Sequence, residues 1–288
     1  GTVGAGDDAS NGDGGDVLDL SGVAAPVTVS YGANPEGGTV NGLDADAGTD
    51  LTFAEIERVL TGSGSDTVNG GAATGAINVD TGAGNDSITG GSGNDTVAAG
   101  DGNDVVSAGA GEDSVSAGAG NDLVFGGAGN DTISGGAGND TLAGADGNDT
   151  LDGGTENDVL RGGRGSDDLF GGSGNDLIIT GYEDDFVDAG DGDDTINMGG
   201  GEDRVLAGAG NDRILLGYDA GFIDGGADTD TVLLFGYSDE GTRGAMADLS
   251  GTYDLLGFAN TYADLDTVFR NVENLSGSGE GDFLSGYA

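Results

Sequence analysis

Gly126-Gly-Ala-Gly-Asn-Asp131-Thr-Ile133-Ser134 is followed without a break by Gly135-Gly-Ala-Gly-Asn-Asp140-Thr-Leu142-Ala143. These two copies belong to a run of nine-residue units over residues 81–233, which divides into seventeen units with no remainder. The template is G-G-x-G-x-D-x-U-x, where U is aliphatic: position 8 is Ile, Val or Leu in every unit, and position 6 is Asp in every unit except the one with Gly221. Low-complexity drift does not keep an aliphatic residue at every ninth position, so the pattern favours a folded repeat over a disordered acidic linker.

The two parts of the nonapeptide predict a turn and a strand. Six Gly-rich residues take the positive-φ geometry of a tight turn, and the three residues x-U-x form a short strand that points one aliphatic side chain inward. Two repeats then close one coil of eighteen residues. Odd- and even-numbered repeats, counted from residue 81, build two parallel sheets that pack through their position-8 side chains. Gly is replaced at position 2 by Ala145, and at position 4 by Glu156, Glu183, Asp219 and Asp228.

The nonapeptide resembles the calcium-binding repeat of the RTX, or haemolysin-type, protein family. The resemblance implies an all-β fold, a right-handed parallel β-roll with two repeats per coil. It also implies that backbone carbonyls of the Gly-rich turns complete calcium sites between the coils.

The position-6 aspartates predict where the calcium sites lie. Asp residues eighteen apart stack at about 4.8 Å, and carboxylates that repel one another among turn carbonyls form a cage of hard oxygen ligands suited to Ca²⁺. The odd column contains Asp86, Asp104, Asp122, Asp140, Asp158, Asp176, Asp194, Asp212 and Asp230. The even column contains Asp95, Asp113, Asp131, Asp149, Asp167, Asp185 and Asp203. Eight gaps in the odd column and six in the even column predict about fourteen Ca²⁺ ions.

Two positions modify this count. The even column stops at Gly221, so the gap between Asp203 and Gly221 is expected to bind no ion, or to bind one poorly. Asp66 is a candidate for one further site near the odd column, separated from Asp86 by a two-residue insertion within residues 70–80.

Composition also favours a fold that depends on metal. Acidic residues number 53 against seven basic ones, which are all Arg, for a net charge of −46, and the chain has no His or Cys. The position-8 aliphatics make a thin core, whereas ordering the backbone costs on the order of 1 kcal/mol per residue. We therefore predict that the tract is largely unfolded without Ca²⁺ and folded with it.

A fold that needs high calcium concentrations is expected outside the cell or on its surface, and the absence of Cys is compatible with secretion. The sequence shows no N-terminal signal peptide and no apolar run long enough to span a bilayer. The resemblance implies type I secretion directed by a C-terminal signal. A chain that begins and ends inside repeat-like sequence is also expected to be a piece of a longer protein.

The chain is predicted to have three regions. Residues 1–60 form an irregular β flank and N-terminal cap with one stray repeat at 11–19, residues 61–233 form the β-roll, and residues 234–288 form a C-terminal flank that ends in a repeat-like unit at 277–285. Segments 53–60 and 263–275 are each predicted as a short helix or as a turn followed by a strand. The flanks are expected to cap the exposed strand edges of the roll.

Outward-facing residues at positions 7 and 9 distinguish the two sheets. The odd repeats carry apolar side chains at Val105, Leu123, Phe125, Val159, Leu177, Ile179 and Leu215, whereas the first even repeats carry only Thr, Ser and Ala. Two interpretations of this odd face stay open. Either a flank folds over it, or it contacts another subunit or domain.

Catalysis has little support, because the chain lacks a His, Cys or Lys for the common acid, base or nucleophile roles. The negative charge also opposes nucleic-acid binding. Three function classes remain. The first is a non-catalytic, calcium-dependent structural module of a secreted, surface-layer or matrix-type protein. The second is the secretion and folding module of a larger RTX enzyme or toxin, and the third is an adhesin segment.

Overall fold

The structure, a computed structural model, describes residues 17–33, 38–41, 51–53, 58–217, 221–234, 268–270 and 274–277. Contacts divide the chain into two compact units, residues 1–146 and 147–288. The described residues contain strands and turns but no helix, and hence no helix that could cross a membrane. Residues 11–16 of the stray repeat, residues 54–57 and most of the repeat-like unit at 277–285 lie outside the described residues.

The first unit contains strands of both sheets. They are β1 (Val17–Val23), β2 (Thr28–Tyr31), β3 (Gly38–Asn41), β4 (Leu51–Phe53), β5 (Arg58–Gly62), β6 (Thr67–Asn69), β7 (Asn78–Gly82), β8 (Ser87–Gly91), β9 (Thr96–Asp101), β10 (Val105–Ala110), β11 (Ser114–Ala119), β12 (Leu123–Ala128), β13 (Thr132–Ala137) and β14 (Thr141–Asp146). One sheet has the order β1-β5-β7-β9-β11-β13, and the other has the order β4-β3-β2-β6-β8-β10-β12-β14. All neighbouring strands from β5 onward pair in parallel, whereas β2, β3 and β4 form an antiparallel meander.

The second unit repeats the parallel arrangement. Its strands are β15 (Thr150–Thr155), β16 (Val159–Arg164), β17 (Asp168–Ser173), β18 (Leu177–Tyr182), β19 (Phe186–Asp191), β20 (Thr195–Asn197), β21 (Arg204–Ala209), β22 (Arg213–Leu216), β23 (Phe222–Asp224), β24 (Thr231–Leu234), β25 (Val268–Arg270) and β26 (Asn274–Gly277). Odd-numbered strands form one sheet in chain order from β15 to β25, and even-numbered strands form the other from β16 to β26. The predicted parallel β-roll is therefore confirmed. Segment 263–275, for which a short helix or a turn followed by a strand was expected, contains β25 and the start of β26.

The strands are longer than the sequence predicted. Most strands of the regular tract run for six residues, from position 7 of one repeat to position 3 of the next, and not for the three residues x-U-x. Two residues of each such strand face inward: the position-8 aliphatic, which is buried in every repeat from Ile88 to Val232, and the residue at position 1 of the next repeat. Position 1 is thus part of the interior, although the sequence assigned it to the turn.

Glycines at positions 2 and 4 allow the turns to stack closely. Gly109 and Gly111 have φ values of 117° and 133°, a region that L-residues with a Cβ rarely adopt. A Cβ on either would collide with a backbone carbonyl of the coil eighteen residues earlier. The four non-glycine residues at these positions that the structure describes, Ala145, Glu156, Glu183 and Asp228, also have positive φ; Asp219 lies outside the described residues.

The two-residue insertion before the regular tract is absorbed by a local turn. Val59 pairs with Val79 and Thr67 with Ser87, twenty residues apart, whereas the next strands pair at eighteen. The extra residues form a turn in which the Ala73 N–H donates to the Gly70 carbonyl at 2.7 Å. Pairing therefore resumes without a change of register in the residues that follow.

The outward faces differ between the two units. The odd repeats form the sheet of even-numbered strands, and in the first unit their outward residues Val105 (β10) and Phe125 (β12) are each 44% exposed. In the second unit, the even repeats, which form the sheet of odd-numbered strands, also carry large outward side chains. The first even repeats carry only Thr, Ser and Ala at these positions. The Arg204 guanidinium lies 5.4 Å from the ring centroid of Phe186 and 5.7 Å from that of Phe222, which is a pair of cation–π contacts.

Candidate metal centre

The position-6 aspartates lie inside the turns, where each joins one sheet to the other. All sixteen in the tract, and Asp66, are at most 3% exposed. Each is held in place by the next coil: the backbone N–H of one Asp donates to Oδ1 of the Asp eighteen residues later, as in the bond of 2.8 Å from Asp176 to Asp194. The following residue continues the ladder, because the Thr195 N–H donates to the Asp176 carbonyl at 2.8 Å.

The hydrogen bonds link the aspartates into the two predicted columns within each unit. In the first unit the linked residues are Asp66, Asp86, Asp104, Asp122 and Asp140 on the odd side, and Asp95, Asp113 and Asp131 on the even side. In the second unit they are Asp158, Asp176, Asp194, Asp212 and Asp230 on the odd side, and Asp149, Asp167, Asp185 and Asp203 on the even side.

The second carboxylate oxygen, Oδ2, is buried and receives no hydrogen bond from a protein donor in many of these residues. The atom Oδ2 has no hydrogen-bond partner in Asp66, Asp86, Asp95, Asp104, Asp113, Asp122, Asp167, Asp176, Asp185, Asp194 and Asp212. A buried, ionised oxygen without a donor is costly unless a cation compensates it. The repetition of the same orphaned atom from coil to coil therefore indicates a ligand position that is built into the repeat.

Burial changes the acidity of the columns. It is the main cause that raises the pKa of Asp167, Asp185 and Asp194 to about 7, and that of Asp95 and Asp104 to about 6. The hydrogen bond from the preceding backbone N–H opposes this rise, and neighbouring carboxylates of the column add to it. Without a cation, these carboxylates resist ionisation. A divalent ion between them would favour the ionised form.

The ends of the columns have distinct chemistry. At the start of the odd column, the Asp66 carboxylate accepts from the Val27 N–H at 2.8 Å, so Asp66 occupies a column position despite the insertion. At the start of the even column, Ile77 takes the position above Asp95, and its N–H donates to Asp95 Oδ1 at 2.8 Å. At the other end, a Cβ on Gly221 would collide with the carbonyl of Asp203.

A second ladder runs along the exposed turns at position 5. The Asn121 N–H donates to Asn103 Oδ1 at 2.8 Å, and the Asn139 N–H donates to Asn121 Oδ1 at 2.8 Å. Asn175 and Asp193 form an equivalent bond of 2.8 Å in the second unit. The donor here belongs to the later coil, the reverse of the Asp columns. The two ladders together fix successive turns in register on both sides of the position-6 residue.

The donor set fits a hard cation. The turns offer carboxylate and carbonyl oxygens, and the chain has no His or Cys to provide nitrogen or sulfur ligands. In the part of the chain that the structure describes, no three acidic side chains converge on one point. The sequence found these aspartates by their period, but it missed that position 1 faces them and that Ile77 ends the even column.

One comparison with known proteins agrees with the nonapeptide pattern. The chain matches the model of the RTX calcium-binding nonapeptide repeat over residues 53–74, 80–115, 107–142, 143–178, 170–205, 179–214 and 198–232. No curated protein matches it. Among solved structures, it is similar to a hyperactive, Ca²⁺-dependent, β-helical antifreeze protein from an Antarctic bacterium, with a TM-score of 0.47 and 24% identity over 74% of this chain and 70% of that one. From the extent of the repeat match, the chain belongs to the family of proteins with the RTX calcium-binding nonapeptide repeat.

Proposed function

We propose that the Asp columns bind Ca²⁺ in the gaps between successive coils and that the fold forms on binding. The observation that carries this proposal is the column of buried Oδ2 atoms without a hydrogen-bond donor. Each gap would be held by one Asp from each of two coils, from Asp86 to Asp230 on the odd side and from Asp95 to Asp203 on the even side. Asp66 would extend the odd column, and about fourteen ions are expected in the regular tract.

The role of calcium would be structural. It would compensate the charge of carboxylates that burial otherwise drives toward their neutral form, and it would join consecutive turns across the gaps. A chain of net charge −46 with a thin aliphatic core needs such compensation to stay compact. We therefore assign the chain a non-catalytic role as a calcium-stiffened module of a secreted protein, such as a surface-layer or extracellular matrix-type protein.

Extracellular placement follows from the same chemistry. Sites made of two carboxylates and backbone carbonyls fill at the calcium concentrations found outside cells, whereas cytoplasmic calcium is kept far lower. Folding would then be delayed until after export. The odd face, with Leu123, Phe125, Val159, Leu177 and Ile179, would offer the apolar surface for self-association or for packing of another domain.

Circular dichroism tests the central claim. The β signal is expected to appear on addition of Ca²⁺ and to be lost in excess chelator, and equal concentrations of Mg²⁺ are expected to be a poor substitute because of its stricter octahedral geometry. Equilibrium dialysis counts the bound ions. A native β signal that persists in excess chelator would contradict folding on binding, and a chain that binds no Ca²⁺ would contradict the proposal as a whole.

A further inference from the structure

In several repeats the residue at position 1 faces the position-6 aspartate of the same repeat. In the turn that begins at Gly171, a Cβ on this glycine would lie 2.6 Å from Asp176 Oδ2 and 2.5 Å from the carbonyl oxygen of Ala189, in the next coil on the same side. At Gly153, the corresponding distances are 2.5 Å to Asp158 Oδ2 and 2.7 Å to the carbonyl of Gly171. A carboxylate and a carbonyl therefore converge beside each of these glycines.

The convergence matters for an ion in the gap. Two oxygens that lie this near to one point are at most about 5 Å apart, and an ion with Ca²⁺–O distances of about 2.3–2.6 Å can contact both. A real Cβ does not approach an oxygen to 2.6 Å, so a side chain at position 1 forces the two oxygens away from it. Gly90 and Gly162 have the same pair of neighbours, the Oδ2 of their own turn and the position-1 carbonyl of the next coil.

Other repeats carry a side chain at this position. Thr81 shows its consequence, because its hydroxyl donates to the Ala99 carbonyl at 2.8 Å, the equivalent of the carbonyl that converges beside Gly171. The same hydroxyl also interacts with the Asp86 carboxylate. Thr61 repeats the contact with the carbonyl of Thr81 at 3.0 Å. In these two repeats, the Thr hydroxyl already contacts the carbonyl oxygen that a glycine leaves available.

We infer that the position-1 residue divides the calcium sites into two affinity classes, with tighter binding in gaps that open on glycine and weaker binding in gaps lined by a side chain. The inference rests on calcium binding by the Asp columns. Each gap is assigned to the position-1 residue of the repeat that contains the first of its two aspartates. The lined gaps of the regular tract are those assigned to Thr81, Ala99, Ala108, Ala117, Thr180, Ala189 and Ala207. Of the fourteen expected ions, seven thus belong to the weaker class, whose dissociation constants are expected to be at least tenfold larger.

Two sets of substitutions in the second unit exchange the classes. Gly153→Ala, Gly162→Ala and Gly171→Ala together are expected to move three ions from the tighter to the weaker class. Thr180→Gly, Ala189→Gly and Ala207→Gly together are expected to move three ions in the opposite direction, which keeps the test informative if the first variant folds poorly.

Matched controls separate this effect from general changes in backbone freedom. The Gly→Ala control is made at Gly22, Gly71 and Gly200, where a Cβ would meet nothing closer than 3.5 Å. The Ala→Gly control is made at position 3, at Ala119 and Ala209. Neither control is expected to change the partition of ions between the classes.

Equilibrium dialysis of the full chain against radioactive Ca²⁺ reads out the partition as ions bound at each free calcium concentration. The expected result is uptake in two stages, with seven ions in the weaker stage of the unmodified protein. Uptake of all ions in one stage, or a partition that neither set of substitutions moves, would overturn the inference while leaving calcium binding intact. A chain that takes up no Ca²⁺ would instead refute the proposed function itself.

Discussion

Replacing Asp194 with Asn should have opposite effects on stability with and without calcium. Asp194 lies within the odd column of the second unit and borders two gaps, one toward Asp176 and one toward Asp212. Asn keeps an Oδ1 that accepts the 2.8 Å bond from the Asp176 N–H, so the hydrogen-bonded ladder is preserved. The substitution removes only the negative charge and the anionic Oδ2.

The expected magnitude follows from the number of ions affected. At a free calcium concentration of ten times the dissociation constant, each ion stabilises the folded state by about 1.4 kcal/mol. Loss of both neighbouring ions would therefore lower the free energy of unfolding by up to about 3 kcal/mol. Without calcium, the variant lacks a buried carboxylate whose pKa burial raises to about 7, so its folded state is expected to be at least as stable as that of the unmodified protein.

Urea unfolding followed by circular dichroism measures the first effect in saturating calcium. The effect without calcium is measured by titration with trimethylamine N-oxide, an osmolyte that favours compact states. The readout is the osmolyte concentration at which half of the chains are folded. Asp152→Asn is the matched control, because Asp152 is an exposed position-9 residue, and it should change stability by no more than about 0.5 kcal/mol in either buffer. Equal destabilisation by Asp194→Asn in both buffers would show that the carboxylate stabilises the fold independently of calcium, which contradicts its role as a calcium ligand.

Three further predictions concern the backbone, the acidity of the columns and the odd face. Ala145→Gly should stabilise the fold by about 1 kcal/mol in urea unfolding, because Ala145 has a φ of 91°; Ala143→Gly, in the same strand, should destabilise it, and a loss at both positions would contradict this reason. In calcium-free buffer with osmolyte, the raised pKa values of the column aspartates stabilise the folded state at low pH. This stabilisation is complete below pH 3.8, the ordinary pKa of Asp, and is lost as the pH rises through about 6 to 7. The β signal should therefore be larger at pH 5 than at pH 8. In limiting calcium the reverse order is expected, because protons compete with the ion for the carboxylates. The same order in both buffers would contradict this linkage between protonation and folding. Substituting Ser for Leu123, Phe125 and Leu177 should reduce self-association measured by light scattering, and a monomeric unmodified protein would contradict a role of the odd face in self-association.

The period of the sequence was sufficient to predict most of the fold. A nine-residue repeat with one aliphatic and one Asp determines two parallel sheets and two columns, because every coil repeats the same contacts eighteen residues later. The burial of Ile88 through Val232 and the ladder of Asp N–H donors follow directly from that rule.

Features outside the period needed the structure. Position 1 varies among Gly, Ala, Thr, Met and Leu, so no repeated residue type indicates that it faces the Asp carboxylate. Ile77 precedes the regular tract, and only the strand pairing after the insertion places it above Asp95. The contacts of Arg204 with two Phe rings join residues in neighbouring coils whose outward positions follow no repeat.

The alternation of odd and even turns also limits how such a gene can change in length. Duplication of eighteen residues inserts one complete coil, about 4.8 Å along the stacking direction, and leaves every later residue on its original side. Duplication of nine residues would instead transfer every downstream repeat to the opposite sheet, so that outward residues such as Phe186 and Arg204 would change faces together. The turn at Gly70 and Ala73 shows a third outcome, in which two added residues stay local and the later coils keep their places. Lengthening by whole coils is thus the change that preserves both the columns and the surface pattern.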